Sequence, residues 1–300
     1  MSGLNKFNLN KIDPDHRLRT AAMKTFSFLP DAAYLKFVYK MRTGHSLNLD
    51  EPKDFTEKLH WLKLHDKHPE YTQLVDKLEV RKIVEEKIGP GYSFPLLGHW
   101  EHFDDIDFNS LPNKFVLKCN HDSGSYKIIT DKSALTPEDY AKLKKHFDRQ
   151  VKGNPFYAGR EYPYKNVKAC ILAEQFMEPQ NGEDIMDYKF FCFNGVPKLV
   201  YVMTDHHTNS RMNFFDMDFN PLDIQNIDPR TDKPIEKPAC FDEMKEIAAK
   251  LSAGIRHVRI DLYEMDGKIY FGEFTFFHGG GFVRFKPDEW ERRLGDWIEL

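Results

Sequence analysis

The chain has 300 residues, and its 43 lysines and arginines against 47 aspartates and glutamates give a formal net charge of −4. This length is enough for one large domain or two modest ones with a sizeable core, and an aromatic content of 14% excludes a disordered chain. The slightly acidic balance argues against a nucleic-acid-binding protein, which usually carries an excess of positive charge. An anionic ligand must therefore be bound by a few cationic side chains at specific positions.

The polarity pattern predicts neither a targeting segment nor a membrane span. The N-terminus leads into polar sequence, which predicts no signal peptide, and no run approaches the roughly 20 apolar residues of a membrane span. The cysteines are far apart and form no C-x-x-C pair: Cys119, Cys170, Cys192 and Cys240. This spacing is typical of reduced thiols and not of a zinc site. We therefore expect a cytoplasmic protein.

Apolar residues at helical spacing dominate the N-terminal part of the chain. They predict a helix from residue 31 to about 42, with Asp31 as its N-cap. The same spacing predicts helices over 55–64 and 71–88, and a Gly-Pro-Gly triplet ends the second of these. Residues 1–65 are therefore expected to form an N-terminal helical region.

From residue 94 onwards, short apolar runs typical of strands replace this pattern. The predicted strands cover 94–100, 114–119, 126–130, 168–177, 187–194 and 197–204. Helices are predicted over 137–150 and 241–254, and a final hairpin at about 256–277. Strand pairs separated by single helices favour an α+β fold over a regular βαβ arrangement.

The final hairpin carries the strongest chemical pattern. A three-residue loop at 265–267 would pair Asp261 with Phe271 and Arg259 with Glu273. Because side chains alternate along a strand, one face of this hairpin then carries four polar residues: Arg259, Asp261, Glu273 and Thr275. Two carboxylates on one face can hold Mg²⁺. The alternative is a solvated strand face with an Arg–Glu pair.

The turn between the predicted strands at 114–119 and 126–130 is a second pattern. Lys118 closes the first strand, and the turn then offers small residues and backbone N–H groups for a phosphate. The turn is not a Walker loop, because G-x-x-x-x-G-K-[ST] is absent. An ordinary hairpin turn is therefore the alternative.

Three other motifs bear on whether the chain has a different function. Asp216-Met217-Asp218 has the D-x-D form of the metal motif in many sugar-nucleotide glycosyltransferases, and its segment also fits a plain turn. His278-Gly279-Gly280-Gly281 is similar to an esterase oxyanion loop, but the chain has no G-x-S-x-G. His206 and His207 are adjacent and not at metal-ligand spacing. A metal-dependent glycosyltransferase stays open as an alternative function.

Segments along nearly the whole chain resemble the TupA-like family of the ATP-grasp superfamily. In order, they are residues 55–61, 76–81, 115–121 and 187–195, then Arg259-x-Asp261 and Glu273-x-Thr275. The resemblance implies an ATP-grasp fold, in which two α+β subdomains grip ATP between antiparallel sheets. It implies an ATP-grasp domain over 66–300, with a small lid subdomain at about 108–175 and a large metal-binding subdomain at about 176–300.

The same resemblance implies how ATP is bound. Lys77 and Lys118 resemble the two phosphate-contacting lysines, and the loop after Lys118 resembles the lid over the triphosphate. Glu174 resembles the hinge acid that meets the ribose or adenine, with backbone contacts to the base from two neighbours. The implied nucleotide-binding residues are Lys77, Lys118, Ser123, Gly124, Ser125, Glu174, Gln175 and Met177.

The resemblance further implies magnesium and one basic residue close to the chemistry, and residue type and position point to an arginine that binds the acceptor. Asp261 and Glu273 resemble the magnesium-binding pair, and Thr275 stands where many ATP-grasp enzymes have asparagine, which leaves a weaker oxygen ligand. Lys189 matches a basic residue near the phosphates. Arg259 or Arg211 is expected to orient the acceptor carboxylate by bidentate contact. The implied cofactors are therefore ATP and Mg²⁺.

The implied activity is that of an ADP-forming carboxylate–amine ligase. Such an enzyme phosphorylates a carboxylate, and an amine then displaces phosphate from the acyl phosphate. The expected substrates are an amino acid or amino alcohol and a hexuronic acid of a bacterial surface polysaccharide, as a small molecule or linked to a sugar nucleotide. A non-catalytic nucleotide-binding scaffold is a second alternative, and homodimer formation stays open.

Overall fold

The computed structural model describes residues 26–180, 185–204, 210–231 and 233–300. The adjacent histidines His206 and His207 lie outside the described residues, as do residues 1–25 of the predicted N-terminal helical region. The chain divides into two compact units. The first comprises residues 26–29 with His68–Val80 and Phe94–Met177, and the second comprises Pro30–Lys67, Arg81–Ser93 and Glu178–Leu300. The predicted boundaries at residues 65, 108 and 175 stay a prediction.

Helices and strands follow one another along the described chain. The helices are α1 (Asp31–Thr43), α2 (Phe55–His65), α3 (Tyr71–Val75), α4 (Val80–Ile88), α5 (Pro137–Val151), α6 (Phe156–Gly159), α7 (Phe241–Ser252) and α8 (Glu289–Asp296). The strands are β1 (Leu96–Trp100), β2 (Phe115–Cys119), β3 (Lys127–Ile129), β4 (Ile171–Gln175), β5 (Met186–Phe193), β6 (Val196–Thr204), β7 (Arg211–Phe215), β8 (Pro221–Leu222), β9 (His257–Met265) and β10 (Lys268–Thr275). None of these helices has the length and apolar character needed to span a membrane.

The first unit is built on a four-stranded antiparallel sheet in the order β1-β4-β2-β3. Along β2, the side chains of Phe115 and Leu117 are fully buried, whereas the side chain of Lys118 is half-buried. The buried face packs against Leu143 and Phe147 of α5. The alternation of strand side chains therefore places Lys118 on the face of the sheet away from this core.

The second unit is built on a six-stranded sheet in the order β10-β9-β5-β6-β7-β8, also antiparallel. Strand β5 is buried on both faces. Phe190 contacts Phe241 of α7 on one face, and Phe191 and Phe193 contact Phe55 of α2 on the other. The predicted α+β class is confirmed by these antiparallel sheets covered by helices.

Two details of the predicted helices are wrong. Asp31 is the first residue of α1 and not its N-cap, a position that Pro30 takes without a side-chain cap. The helix predicted over 71–88 is broken, because Asp76 is extended and its Oδ1 accepts hydrogen bonds from the N–H groups of Leu78 and Glu79 at 2.8 and 3.4 Å. This side-chain turn ends α3 and starts α4. The sequence patterns also missed β7, β8 and α8.

The hairpin of β9 and β10 differs from the predicted one at its loop. Met265 pairs with Lys268, so the loop has two residues, Asp266 and Gly267, both with positive φ of 53° and 76°. Asp-Gly in this conformation is the favoured two-residue hairpin turn, whose twist matches that of the strands. The predicted three-residue loop is therefore wrong.

A bulge at Gly272 then shifts the register between Phe271 and Glu273. Asp261 faces Glu273, and Arg259 faces Thr275, so the predicted pairs of Asp261 with Phe271 and Arg259 with Glu273 are wrong. The shared face of the four polar residues is confirmed, because direct cross-strand partners lie on one face. Glycine is required at the bulge, since a Cβ there would lie 2.8 Å from Cε2 of Tyr263 and 3.1 Å from the carbonyl oxygen of Asp261.

We expect Gly272→Ala to destabilise the second unit by about 1–3 kcal/mol, because the added methyl group must displace the Tyr263 ring or the bulge. Urea unfolding of the wild type, Gly272→Ala, Tyr263→Ala and the double variant measures this cost. The double variant should be destabilised less than the two single changes together, since removing the ring relieves the clash. Strict additivity of the two changes would contradict the packing of Tyr263 against Gly272.

Candidate active site

The first unit brings Lys118 and Glu174 together. Strands β2 and β4 are neighbours, with Val116 opposite Glu174, so Glu174 lies on the same sheet face as Lys118. The Lys118 Nζ is 2.6 Å from Oε2 of Glu174, in an ion pair whose side chains are 20% and 9% exposed. The predicted second phosphate-contacting lysine and the predicted hinge acid are therefore direct partners.

Lys77 lies in the break between α3 and α4, against the loop that follows β2. Its backbone N–H donates to the Asn120 carbonyl at 3.0 Å, and its Nζ donates to the Asp122 carbonyl at 2.5 Å. The helix break that the sequence pattern missed is thus the feature that places Lys77 beside the predicted lid loop.

The predicted lid loop has an exposed tip and a buried end. Ser123 and Gly124 are exposed, and Gly124 has a φ of 81°. Ser125 is buried, and its hydroxyl accepts from the Cys119 N–H and donates to Oδ1 of Asp122. The Ser125 hydroxyl therefore holds the loop together, which leaves Ser123 and the Gly124 backbone as the accessible part.

The buried end of this loop is also tied to α5. The Nε2 of His146 is 2.7 Å from the Ser125 carbonyl, and because a carbonyl only accepts, Nε2 carries the proton. Burial lowers the pKa of His146, with smaller contributions of the same sign from Lys127 and Arg149. The loop is thus anchored by a neutral imidazole.

Gln175 and Met177 follow at the end of β4. The Gln175 N–H donates to the Pro95 carbonyl at 2.9 Å, and its side chain is exposed. A contact from Gln175 to a base would therefore use its carbonyl or its side chain and not its N–H. Met177 is half-buried and lies two residues beyond the strand.

The second unit places a buried carboxylate between two cations. Asp261 is fully buried on β9, and both its oxygens accept from Arg259, at 2.6 Å from Nε and 2.7 Å from Nη2. Its Oδ2 also accepts from Nζ of Lys189 at 2.6 Å. Lys189 faces Asp261 across β5 and β9, and Arg259 is two residues away on the same face. The register of β5 and β9 therefore builds this cluster.

The charges of this cluster depend on one another. Burial alone would raise the pKa of Asp261, but Arg259 and then Lys189 outweigh it and hold that pKa below its ordinary value. Burial alone would lower the pKa of Lys189, but Asp187, whose Oδ2 is 2.7 Å from Nζ, and Asp261 raise it well above its ordinary value. Asp261 and Lys189 are therefore both charged near neutral pH.

Glu273 and Thr275 complete the cluster on β10. The Thr275 hydroxyl accepts from Nη2 of Arg259 at 3.0 Å and donates to Oε1 of Glu273 at 3.1 Å. The same Glu273 oxygen is 3.6 Å from Nη2 of Arg259. Glu273 keeps 27% of its side chain exposed, unlike Asp261. It is therefore the more accessible of the two carboxylates.

These oxygen ligands fit a magnesium ion in their chemistry. Mg²⁺ is usually held by one or two carboxylates together with substrate phosphates, and Asp261 and Glu273 are direct cross-strand partners. Within the described ranges, no group of three or more His, Cys, Asp and Glu side chains forms a ready metal site. A magnesium ion here would therefore depend on the phosphates of a nucleotide for its remaining ligands.

Arg259 and Arg211, the two predicted carboxylate-binding arginines, lie in different settings. Arg211 begins β7, and its Nη1 donates to the Arg230 carbonyl at 3.4 Å, apart from the Asp261 cluster. Arg259 donates to Asp261 from Nε and from one N–H of Nη2. The other N–H of Nη2 donates to Thr275, and one N–H of Nη1 donates to His278. Among the described residues this leaves Arg259 one N–H, on Nη1, so a bidentate contact with a substrate would break one of these bonds.

Sequence patterns missed Asp187 and His278, which contact the cluster, and Asn226, which contacts His278. Asp187 had a signal, since Asp-x-Lys on a strand places both side chains on one face. Asn226 had none, and the motif that contains His278 gave no sign of this contact, because it joins positions 52 residues apart.

Asp216, the first residue of the D-x-D motif, is used within its own turn. Its Oδ1 accepts from the N–H groups of Asp218 and Asn220, and its Oδ2 accepts from the Asn220 amide. This is the hydrogen bonding of a turn between β7 and β8. The plain-turn interpretation of this segment therefore accounts for Asp216.

A family model described as TupA-like ATPgrasp matches residues 57–299. The chain belongs to the TupA-like ATP-grasp family. The predicted recognition and fold class are confirmed by this match, and the predicted enzyme class, an ATP-grasp ligase, agrees with it. No curated protein sequence matches the chain significantly.

Solved structures of ATP-grasp ligases are distantly similar to the chain. D-alanine–D-alanine ligase from Bacillus anthracis in complex with ATP is 16% identical, with a TM-score of 0.40 and coverage of 68% of this chain and 55% of that one. L-amino acid ligase from Bacillus licheniformis is 15% identical, with a TM-score of 0.43 and coverage of 90% and 56%. The ATP-grasp ligase PsnB with minimal precursor, Mg and ADP is 10% identical, with a TM-score of 0.40 and coverage of 96% and 74%. The chain thus spans little more than half the length of the first two.

We expect Asp261→Asn to cost about 3–5 kcal/mol of folding free energy at pH 7, because it leaves two buried cations with one carboxylate fewer. The matched change Glu273→Gln, at the more exposed carboxylate, should cost under about 1 kcal/mol. The pKa of Asp261 is depressed by folding, so its contribution is present above the ordinary carboxyl pKa and is lost as the pH falls below about 4. Urea unfolding at pH 7 and pH 3 measures both variants, and an Asp261→Asn cost that does not shrink at pH 3 would contradict the ion-paired state.

Proposed function

We propose that the chain is an ADP-forming carboxylate–amine ligase that works through an acyl phosphate. The observation that carries this proposal is the buried cluster of Lys189, Arg259 and Asp261, with Glu273 beside it, on strands that the family model covers. Phosphoryl transfer from ATP depends on cations that neutralise the charge of the moving phosphoryl group. This cluster provides two buried cations and two carboxylates at one point of a rigid sheet.

The proposed reaction has two steps that balance. A carboxylate oxygen of the acid forms a bond to the γ-phosphorus of ATP, and the bond between that phosphorus and the bridging oxygen breaks to release ADP. The nitrogen of the amine then bonds to the carbonyl carbon, inorganic phosphate leaves with the carboxylate oxygen, and the amine gives up a proton to solvent. The products are an amide, ADP and phosphate.

Each group of residues takes one role in this proposal. Lys77 and Lys118 contact the phosphates, and Glu174, Gln175 and Met177 contact the ribose and adenine. To reach a phosphate, Lys118 exchanges its 2.6 Å contact with Glu174 for a contact with the anion. Ser123 and Gly124, the exposed part of the loop, lie over the triphosphate and exclude water from the acyl phosphate.

Lys189 and the hairpin residues act on the transferring group. Lys189 stabilises the charge on the phosphoryl oxygens, since Asp187 and Asp261 hold its ammonium in place. Asp261 and Glu273, with Thr275, would hold magnesium, which would supply charge neutralisation for the phosphates of ATP. Arg259 directs its last N–H towards the acceptor carboxylate, and Arg211 remains a second candidate for that contact.

We further propose the substrate class. The acid is a hexuronic acid of a bacterial surface polysaccharide, free or linked to a sugar nucleotide, and the amine is an amino acid or amino alcohol. The resemblance to the TupA-like family supports this choice. Reaction in the cytoplasm is supported by the four free cysteines, three of them buried, since free thiols are typical of a reducing compartment.

We expect the purified chain, incubated with ATP, magnesium and a panel of uronates and amines, to release ADP and phosphate only when an acid and an amine are both present. Product analysis by chromatography and mass spectrometry checks this result. Glu273→Gln should lower kcat about 100-fold, as expected for a lost contact in phosphoryl transfer, whereas Asp216→Asn should leave kcat within about twofold.

Two outcomes would contradict the proposal. AMP and pyrophosphate as products would exclude an acyl phosphate. Loss of activity in Asp216→Asn with activity retained in Glu273→Gln would favour the D-x-D motif as the metal site and hence a glycosyltransferase.

A further inference from the structure

His278 occupies a single protonation and tautomeric state that the geometry defines. Its Nδ1 is 2.8 Å from Nη1 of Arg259, and its Nε2 is 2.8 Å from Oδ1 of Asn226. Because a guanidinium only donates, Nδ1 must accept, and the proton of the neutral ring is on Nε2. The Asn226 amide is oriented to match, since its Nδ2 donates to the Arg284 carbonyl at 3.4 Å.

This arrangement excludes general-base catalysis by His278. The one lone pair of the neutral ring is directed at Nη1 of Arg259. The ring is 1% exposed, and burial, followed by the positive charge of Arg259, holds the pKa of His278 well below its ordinary value. His278 therefore accepts a hydrogen bond from Arg259 and does not take up a proton from the substrates.

The backbone on which His278 sits is held rigidly by α2. Gly279, Gly280 and Gly281 all have positive φ, of 57°, 64° and 74°. Nζ of Lys63 donates to the Gly280 carbonyl at 2.6 Å, and Nε2 of His60 donates to the Gly281 carbonyl at 2.9 Å. This glycine turn, residues 279–281, is thus fastened to a buried helix.

A side chain is unfavourable at two positions of the glycine turn, where it would combine a close contact with a positive φ. A Cβ at Gly279 would lie 2.6 Å from Cγ2 of Val283, and one at Gly281 would lie 3.1 Å from Nε2 of His60. The ring of His278 also packs against aromatic neighbours, with centroid distances of 5.2 Å to Phe191 and 5.5 Å to Phe285. The imidazole therefore has little freedom to rotate.

We propose that His278 is a positioning residue, held by Asn226 and the glycine turn, that orients the last N–H of Arg259 towards the acceptor carboxylate. Nη1 carries two N–H groups, and because the guanidinium is planar, fixing one of them on His278 fixes the direction of the other. This role rests on the proposed ligase function. The Arg259–Asp261 contact holds the other edge of the same guanidinium.

The test compares His278→Asn with His278→Leu. Asparagine can present Oδ1 near the position of Nδ1 and so retains an acceptor for Arg259, whereas leucine fills similar space without one. We expect His278→Leu to raise the KM for the acid and lower kcat/KM about 10–100-fold, with less than about threefold change in the KM for ATP. His278→Asn should recover activity to within about tenfold of the wild type. Wild-type kinetics in His278→Leu would overturn the proposal.

A structural role alone has a different signature. Equal losses of activity in His278→Asn and His278→Leu, in parallel with equal drops in thermal stability, would assign His278 to folding and overturn the proposal. Asn226→Leu is the second variant, because it leaves the His278 ring in place and removes only its partner. It should shift the KM for the acid in the same direction as His278→Leu.

Nitrogen-15 NMR of the full chain tests the geometry without turnover. Long-range proton–nitrogen correlations should show His278 as the neutral Nε2–H tautomer from pH 6 to pH 8. The Nη1 protons of Arg259 should be resolved in the wild type and in His278→Asn, and averaged by rotation in His278→Leu. An Nδ1–H tautomer, or resolved Arg259 protons in His278→Leu, would overturn the proposal. If no acid and amine pair releases ADP, the ligase function fails, while these spectra still decide whether His278 fixes the guanidinium of Arg259.

Discussion

The buried carboxylate of Asp261 is the constraint on which the second unit depends. An ionised carboxylate is costly in a protein interior unless charges and hydrogen bonds compensate it, and Asp261 accepts from both Arg259 and Lys189. These cations need their own partners. Asp187 holds Lys189, and Thr275 contacts Arg259. Three strands, β5, β9 and β10, are therefore tied together at one point by ion pairs and hydrogen bonds, and the removal of one charged member leaves another buried charge without compensation.

The backbone of β9 and β10 is shaped to build this point. The Asp266-Gly267 turn sets the first part of the pairing, and the bulge at Gly272 then advances β10 by one residue. Without the bulge Glu273 would not face Asp261. Bulges often redirect side chains beside active sites, and here the bulge brings the second carboxylate opposite the first. Stability and the proposed chemistry thus depend on the same irregular residue.

Much of the fold was predictable because its elements carry local signals. Helices α1, α2, α5 and α7 and the strands β1–β6 follow from apolar spacing, and the order of family-like segments identified the ATP-grasp family that the family model confirms. The strand pairing of the hairpin was less predictable. Met-Asp-Gly fits both a two-residue and a three-residue loop, and no local signal marked Gly272 as a bulge. The break at Asp76 was hidden because its side-chain hydrogen bonds replace helical ones without disturbing the apolar spacing.

The candidate site was predictable in its residue types and not in its contacts. Lys189, Arg259, Asp261 and Glu273 could be selected from residue type and family likeness, and the structure brings them together. The contact of Arg259 with His278 depends on a glycine turn, and that of Lys118 with Glu174 depends on the order of the strands in a sheet. Such contacts join distant parts of the chain. A net charge of −4 gives no general positive field, so the proposed function assigns the binding of the anion to these few cationic side chains.

Oxygen transfer tests the acyl phosphate most directly. The uronate that supports ADP release is labelled with oxygen-18 in its carboxylate and converted by the wild-type chain with ATP, magnesium and an amine. The phosphate formed is then measured by phosphorus-31 NMR. Attack of the carboxylate on ATP predicts one oxygen-18 atom in each phosphate released during amide formation. Phosphate that carries no label would contradict the central claim.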